Sequence, residues 1–412
     1  MTARPPVILL GLDTAVGLVA MRELGRRRVP VIGVGYHDAA VGRGSRYLTD
    51  FLVRPEGPLA AWLPRLVERF GAGAVLPLRD RDIVEVSAIP ALPCVNLGGP
   101  AQAMALVMDK ARTMDAAQRV GIEIPHSWQP AVADEAPPPG LGWPVVLKWA
   151  DPLPIAPALA RLGLPDLKAE YCTGPESLRG ALARYRPLGR YPIVQEYARG
   201  RGLGQTLYIE AGKATLRFQH ERVHEWPPEG GVSSLCRALP LSAHAEQMAL
   251  SEALLAAIGW EGYAMVEYRH DPATGRCVLM EVNGHLWGSL ALASACGAEF
   301  AWEAYRRRVL GHTEPAAAPR TGLSARDLVK ETRRLPRLFA GRSSDPCFRP
   351  TPWSDLARYL AGFLDPRVRP YVFAWSDPLP AFLSLGATFV RALRRPSARA
   401  RSRTALAKGR AR

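Results

Sequence analysis

The apolar positions of the chain first fall into a strand–helix–strand pattern. Val7-Ile8-Leu9-Leu10-Gly11-Leu12 is a short apolar run that stops near a glycine. Val16, Val19, Ala20 and Leu24 then recur on one face of a helix over Ala15–Arg27, and Val29–Val34 is a second run. Uninterrupted runs of this kind are strands covered on both faces, as in parallel sheets. Helices over Leu59–Phe70 and Asp80–Ser87, a strand over Ala74–Pro77 and a closing strand over Cys94–Leu97 continue the wound sheet. This defines an N-terminal βαβ domain, residues 1–104. Gly11 and Gly17 lack the G-x-G-x-x-G spacing, so a dinucleotide site is not indicated.

The pattern then changes. A helix is expected from Ala101 to Val120, with Met108-Asp109-Lys110 near its middle. A Pro/Gly-rich link, Ala131–Pro144, leads to strands over Pro144–Trp149, Lys168–Tyr171 and Pro192–Tyr197 and a helix over Pro175–Tyr185. Next comes a hairpin, Thr206–Glu210 and Ala214–Arg222, running into a loop at Glu229–Ser234. A helix over Ala243–Ile258 precedes a second hairpin, Tyr263–Arg269 and Val278–Val282, and a helix over Trp287–Val309 follows it. After a linker at Pro315–Thr321, helices are expected at Ala325–Phe339, Ser354–Phe363 and Leu379–Leu393. There is no internal repeat.

Composition narrows this only in places. At 412 residues the chain needs more than one core. Its six cysteines form no CxxC pair, which argues against a zinc site or a disulfide framework. No secretory leader or membrane span is recognisable, so a cytoplasmic protein is expected. The net charge of +15 is misleading, because nine basic residues and no acidic ones lie from Arg391 onward. That places a basic tail, expected to be disordered, at 396–412 and gives no reason to expect a specific nucleic-acid partner. Leu379–Leu393 is apolar over much of its circumference and is followed by arginines. It reads either as a helix packed on the core or as peripheral membrane contact through the C-terminal extension.

The chemistry concentrates in the second hairpin. Glu281 and Asn283 are two residues apart and share one strand face. Glu267 joins them if it pairs opposite Leu279 or Glu281. Three oxygen ligands on one face suit Mg²⁺, although a glutamate ending a strand also reads as a solvated edge residue.

Met108-Asp109-Lys110, Val145-Val146-Leu147-Lys148, Val194-Gln195-Glu196-Tyr197, Glu267 and Glu281-Val282-Asn283 occur in a fixed order that resembles the ATP-grasp superfamily. Within it the layout is similar to that of carboxylate–amine ligases and carbamoyl-phosphate synthase. The resemblance covers roughly residues 5–312. It implies an α/β architecture: a parallel-sheet pre-ATP-grasp domain, then a two-lobed α+β ATP-grasp domain at 105–314 (small lobe about 122–195, large lobe about 196–314), then a helical C-terminal extension at 315–395. It implies ATP and Mg²⁺, or Mn²⁺ in its place, as cofactors. Lys110 and Lys148 would contact the phosphates, with Lys168 as the remnant of a phosphate loop. Gln195, Glu196 and Tyr197 would form the adenine hinge, and Glu267, Glu281 and Asn283 would hold the metal. Arg222 and the Glu229–Ser234 loop would lie on the acceptor side, as would Arg237 unless it is a surface ion pair. His220 reads as structural.

Three departures stand out. His285 occupies the position where many relatives keep an arginine that supports phosphoryl transfer. The segment 151–166 is rich in Pro, Leu and Ala instead of Gly, and Gly200-Arg201-Gly202 lacks an acidic residue after the hinge. The leading expectation is an ATP-dependent ligase joining a carboxylate to an amine through an acylphosphate. The alternatives are a bicarbonate-using carboxylase or carbamoyl-phosphate-type enzyme, and a weakened ATP-binding protein.

Overall fold

The structure, a computed structural model, describes residues 4–149, 155–164, 169–341, 343 and 345–394, with backbone alone for 387–394. Lys168, residues 151–154 and 165–166 of the Pro/Leu/Ala-rich segment, and the tail at 396–412 lie outside the described residues.

The N-terminal sheet is parallel, in the order β3-β2-β1-β4-β5: β1 is Val7–Leu10, β2 Val31–Gly35, β3 Asp50–Val53, β4 Ala74–Pro77 and β5 Val95–Asn96. Val7 and Leu9 pack with the residues of helix Ala15–Gly25, while Ile8 and Leu10 pack with those of helix Leu59–Phe70. Both faces are covered, which is why the strands read as apolar runs. β3 went unread because it is a short, partly exposed edge strand.

The helix expected over Ala101–Val120 is interrupted. Asp109 adopts an extended conformation (φ −88°, ψ 104°) and its carboxylate accepts from Ala111 N and Arg112 N at 3.0 and 3.2 Å. A side-chain cap of this kind starts a new helix. Lys110 is therefore the first residue of helix Lys110–Arg119, not a mid-helix residue.

The small lobe is an antiparallel sheet of β6 (Ser127–Trp128), β7 (Val145–Lys148), β8 (Glu170–Cys172) and β9 (Ile193–Glu196), in the order β6-β9-β7-β8. Val145, Leu147, Cys172 and Val194 pack with Leu178 and Leu182 of helix Pro175–Ala183. Strand alternation turns Val146, Lys148 and Tyr171 to the other face.

The large sheet runs β14-β13-β10-β11-β12-β15-β16, where β10 is Arg201–Glu210, β11 Lys213–Trp226, β12 Val232–Ala238, β13 Gly262–His270, β14 Cys277–Asn283, β15 Ser324–Arg326 and β16 Val368–Pro370. Three expectations are corrected. Val232-Ser233-Ser234 belongs to β12, leaving Glu229–Gly231 as the loop. The helix over Trp287–Val309 is two, Leu290–Ala295 and Phe300–Arg308, separated at Gly297 (φ +91°). The C-terminal extension is not wholly helical, because β15 and β16 extend the large sheet. Three-residue strands carry no readable period; they form because the edge of β12 offers unpaired backbone groups.

Leu203, Leu207, Val266 and Tyr268 bury one face of the large sheet with residues of helices Ala101–Met108 and Ala245–Ala257. Tyr208, Phe218 and Met265, on the opposite face, share a core with Leu290, Phe300 and helix Ala15–Gly25. The candidate site occupies the rest of that second face.

Candidate active site

Antiparallel pairing sets Glu267 of β13 directly opposite Glu281 of β14 and Met265 opposite Asn283. The two carboxylates and the amide therefore share a face. Asn283 Nδ2 donates to Glu267 Oε1 and Glu281 Oε1 at 3.2 and 3.3 Å. Across β13, β10 and β11 the register places Glu267, Gly204 and His220 in one row. Arg222, two residues on, lies over Gly202, where a Cβ would come within 2.6 Å of the Arg222 Cδ. The Gly202-Leu203-Gly204 spacing thus cuts a groove in which His220 and Arg222 lie flat. Along it Arg222 reaches Glu267 in an ion pair and Glu225 at 3.8 Å.

Burial pushes the Glu267 carboxyl above the usual carboxylate range; Arg222 pulls against it, and the charge of Glu281 adds to it. Lys148 of the small lobe is depressed to about 8, first by burial and then by the neighbouring charge of Lys110, with Glu281 opposing. Lys148, on β7, therefore lies within electrostatic reach of Lys110, at a helix N-terminus, and of the Glu281 carboxylate.

A second cluster adjoins Arg222. Glu225 Oε2 accepts from Arg269 Nη2 at 2.9 Å, and Glu229 Oε1 accepts from Arg337. Both glutamates are buried, and among the described residues Glu225 Oε1 and Glu229 Oε2 have no hydrogen-bond partner. Gly230 (φ +143°) adjoins them: a Cβ there would lie 3.5 Å from the Tyr171 hydroxyl and 3.9 Å from both Arg269 Nη2 and Glu225 Oε2. Neither Arg269 nor Glu225 stands out in the sequence, and Glu229 is read there only as the start of the Glu229–Ser234 loop. Their signal was weak, since charged residues near a Pro-Pro-Glu-Gly-Gly turn read as solvated.

Other candidate residues are engaged elsewhere. Arg237 pairs with Glu221 in register, on the face of the sheet opposite Arg222. Its assignment to the acceptor side is corrected: strand alternation sends position 237 away from the site. His285 Nδ1 is 2.9 Å from Leu286 O, and its Nε2 is 3.8 Å from Asp80 Oδ1 of the N-terminal domain. It faces that domain. At the hinge, Gln195 Nε2 donates to Ser127 Oγ (2.8 Å), Glu196 pairs with Arg276 (3.0 Å) and the Tyr197 hydroxyl donates to Asp345 (2.8 Å). His220 is structural, buried and bonded to Ser289 Oγ at 2.9 Å, and burial holds its pKa down at about 3.

No protein-family model and no curated protein matches the sequence. Solved structures do match. The biotin carboxylase domain of a thermophilic 2-oxoglutarate carboxylase, bound to bicarbonate, has 15% identity and a TM-score of 0.60 over 78% of this chain and 73% of its own. The Campylobacter jejuni biotin carboxylase, in complex with β,γ-ATP, has 15% identity and a TM-score of 0.60 over 77% of this chain and 74% of its own. The N5-carboxyaminoimidazole synthetase of Staphylococcus aureus has 10% identity and a TM-score of 0.56 over 76% and 79%. A pyruvate carboxylase from Rhizobium etli aligns at 14% identity and a TM-score of 0.57 with 78% of this chain, which spans only 29% of that protein. With the two-lobed arrangement around the Glu267–Glu281 ladder, these likenesses show that the chain has the ATP-grasp fold in its biotin-carboxylase-like form.

Proposed function

We propose that the protein is an ATP- and Mg²⁺-dependent ligase that joins a carboxylate to an amine through an acylphosphate. The observation that carries this reading is the shared Glu267–Glu281–Asn283 face, with Lys148 of the small lobe near enough to feel the charges of both Glu281 and Lys110. Lysine charges suit phosphate oxygens, and two facing carboxylates with an amide are a hard-oxygen donor set. The donors fit Mg²⁺: Asn283 holds one oxygen of each carboxylate within reach of a single amide, and turning that amide presents its own oxygen. When bound there, Mg²⁺ would neutralise phosphate charge. The hinge at Gln195–Tyr197 contributes backbone to the adenine edge, because its side chains are engaged.

In the reaction a substrate carboxylate oxygen attacks the γ-phosphorus of ATP and ADP leaves. The amine then attacks the acyl carbon and inorganic phosphate leaves. The role read for Arg222 is to steady the acceptor carboxylate, as a guanidinium does through paired N–H donors, in exchange for its present partners Glu267 and Gly231 O. Glu225 Oε1 and Glu229 Oε2 offer acceptors to an incoming ammonium and a base for the proton the amine must lose.

The test is ADP release against pooled carboxylates and amines, with Glu281→Gln as control. Release that needs both an acid and an amine and vanishes in the variant supports the ligase. A second reading, carboxylation with bicarbonate, is favoured by the likeness to carboxylases, one of them bound to bicarbonate. It predicts labelled bicarbonate fixed into an acid-labile product with no carboxylate co-substrate. Nucleotide binding with no ADP from any pool would support a weakened ATP-binding protein.

A further inference from the structure

We infer that the C-terminal extension is a docking face for an anionic lipid bilayer. Its helices are inside out. Helix Pro352–Ala361 buries Asp355, which meets His224 and Arg334 at 3.1 Å, and sets Trp353 and Leu360 in solvent. Trp353 is 73% exposed, and Leu364, just past the helix end on the same stripe, is 88% exposed. Helix Leu328–Phe339 likewise buries Glu331 and Arg334 and exposes Phe339. Further on, Phe373 lies 4.9 Å from Trp375 and 6.5 Å from Phe382, and Trp375 is 88% exposed. Among the described residues, ten of the seventeen exposed large hydrophobic side chains fall between Phe339 and Leu385. An ordinary surface scatters such side chains singly; here rings touch one another, Phe339 with Trp353 at 5.0 Å and Phe373 with Trp375 and Phe382, and such clustering marks an interaction face.

Charge selects the partner. From Phe339 to the end of the chain there are four carboxylates, at Asp345, Asp355, Asp365 and Asp377. Asp345, Asp355 and Asp377 are buried, and Asp365 pairs with Arg367. The outward face therefore offers apolar side chains and arginines, and the sequence adds nine basic residues from Arg391 onward. Aromatic side chains beside a basic segment match the headgroup region of an anionic leaflet. No helix among the described residues is long and apolar enough to cross a membrane, so contact is peripheral.

The extension cannot be cut away for the test, because β15 and β16 complete the large sheet. The full chain is mixed with vesicles of phosphatidylcholine, with or without phosphatidylglycerol, and floated. Tryptophan quenching by brominated lipid is read in parallel. The expected result is flotation with anionic vesicles only, quenching of tryptophan, and a partition coefficient lowered about tenfold by Trp375→Ser with Phe382→Ser, and similarly by Trp353→Ser with Leu364→Ser. Those side chains are exposed, so the fold is retained. Failure to float would overturn the inference. So would flotation that neither variant reduces, which would assign binding to the basic tail, or a dimer that both variants dissolve with no lipid contact.

Discussion

Glu267 stands directly across the β13–β14 ladder from Glu281, and the Asn283 amide donates to an oxygen of each. Two carboxylates fixed this closely repel unless a cation lies between or beside them, and Arg222 supplies part of that charge at Glu267. Removing one charge weakens the demand for a cation. We expect Glu281→Gln to raise the Mg²⁺ concentration needed for nucleotide binding about tenfold and to cut ADP release by about 100-fold or more. A Mg²⁺ titration of nucleotide binding checks the first effect independently of turnover.

Lys148 titrates at about 8 in the folded chain. Below that pH it is charged and attracts phosphate; above it the neutral amine does not. ATP affinity should be flat up to pH 8 and then fall about tenfold per unit, with proton uptake on binding. Lys148→Arg should abolish the fall, and Lys148→Ala should weaken binding about tenfold to hundredfold at pH 7. Calorimetry in buffers of different ionisation enthalpy measures the uptake.

Gly202 and Gly204 lie under two side chains of different freedom. A Cβ at Gly202 meets the flexible Arg222 side chain, whereas a Cβ at Gly204 comes within 2.4 Å of the buried His220 ring. Gly202→Ala should displace Arg222 and slow turnover about tenfold with little change in melting temperature. Gly204→Ala should cost about 1–3 kcal/mol of stability, read by urea unfolding.

Glu23 is fully buried and accepts from Ala301 N at 2.8 Å. Burial, and then the charge of Glu299, raise its carboxyl to about 8. The folded form thus holds a proton that the unfolded chain releases at about pH 4.3. This contribution is complete below that value, falls by ~1 kcal/mol per unit as pH rises and is gone once pH passes the folded value. Urea unfolding of wild type against Glu23→Gln should show that slope up to about pH 8 and parallel behaviour above it. No difference in slope would contradict the raised value.

Arg237 projects from the far face of the large sheet. Arg237→Ala should leave ADP release within about twofold of wild type, since exposed ion pairs contribute ~1 kcal/mol or less. A larger loss of turnover would show that the far face bears on the reaction.

Much of the site was legible because strand alternation is a local rule. Glu281 and Asn283, two apart, must share a face, and Lys148 at the end of an apolar strand must leave the face that Val145 and Leu147 bury. The parallel sheet was legible because strands covered twice become unbroken apolar runs. The break at Asp109 was missed because the flanking residues keep a helical pattern and a single cap decides the boundary. Arg237 was misplaced for want of register: without knowing that it pairs with Glu221, its face is undetermined. Arg269, Glu225 and Glu229 gain meaning only from neighbours far along the chain, such as Tyr171 and Arg337.

By itself the sequence determined the order of the units, the strands that carry Lys148, Glu267, Glu281 and Asn283, and the faces those side chains share within each strand. These depend on neighbours one to four residues away. Only the tertiary structure decided that Glu267 opposes Glu281, that Arg222 lies in a glycine groove reaching Glu267, and that β15 and β16 extend the large sheet. Those are pairings between distant segments. They are set by which edge is left open and which core must be filled, and no local period encodes that.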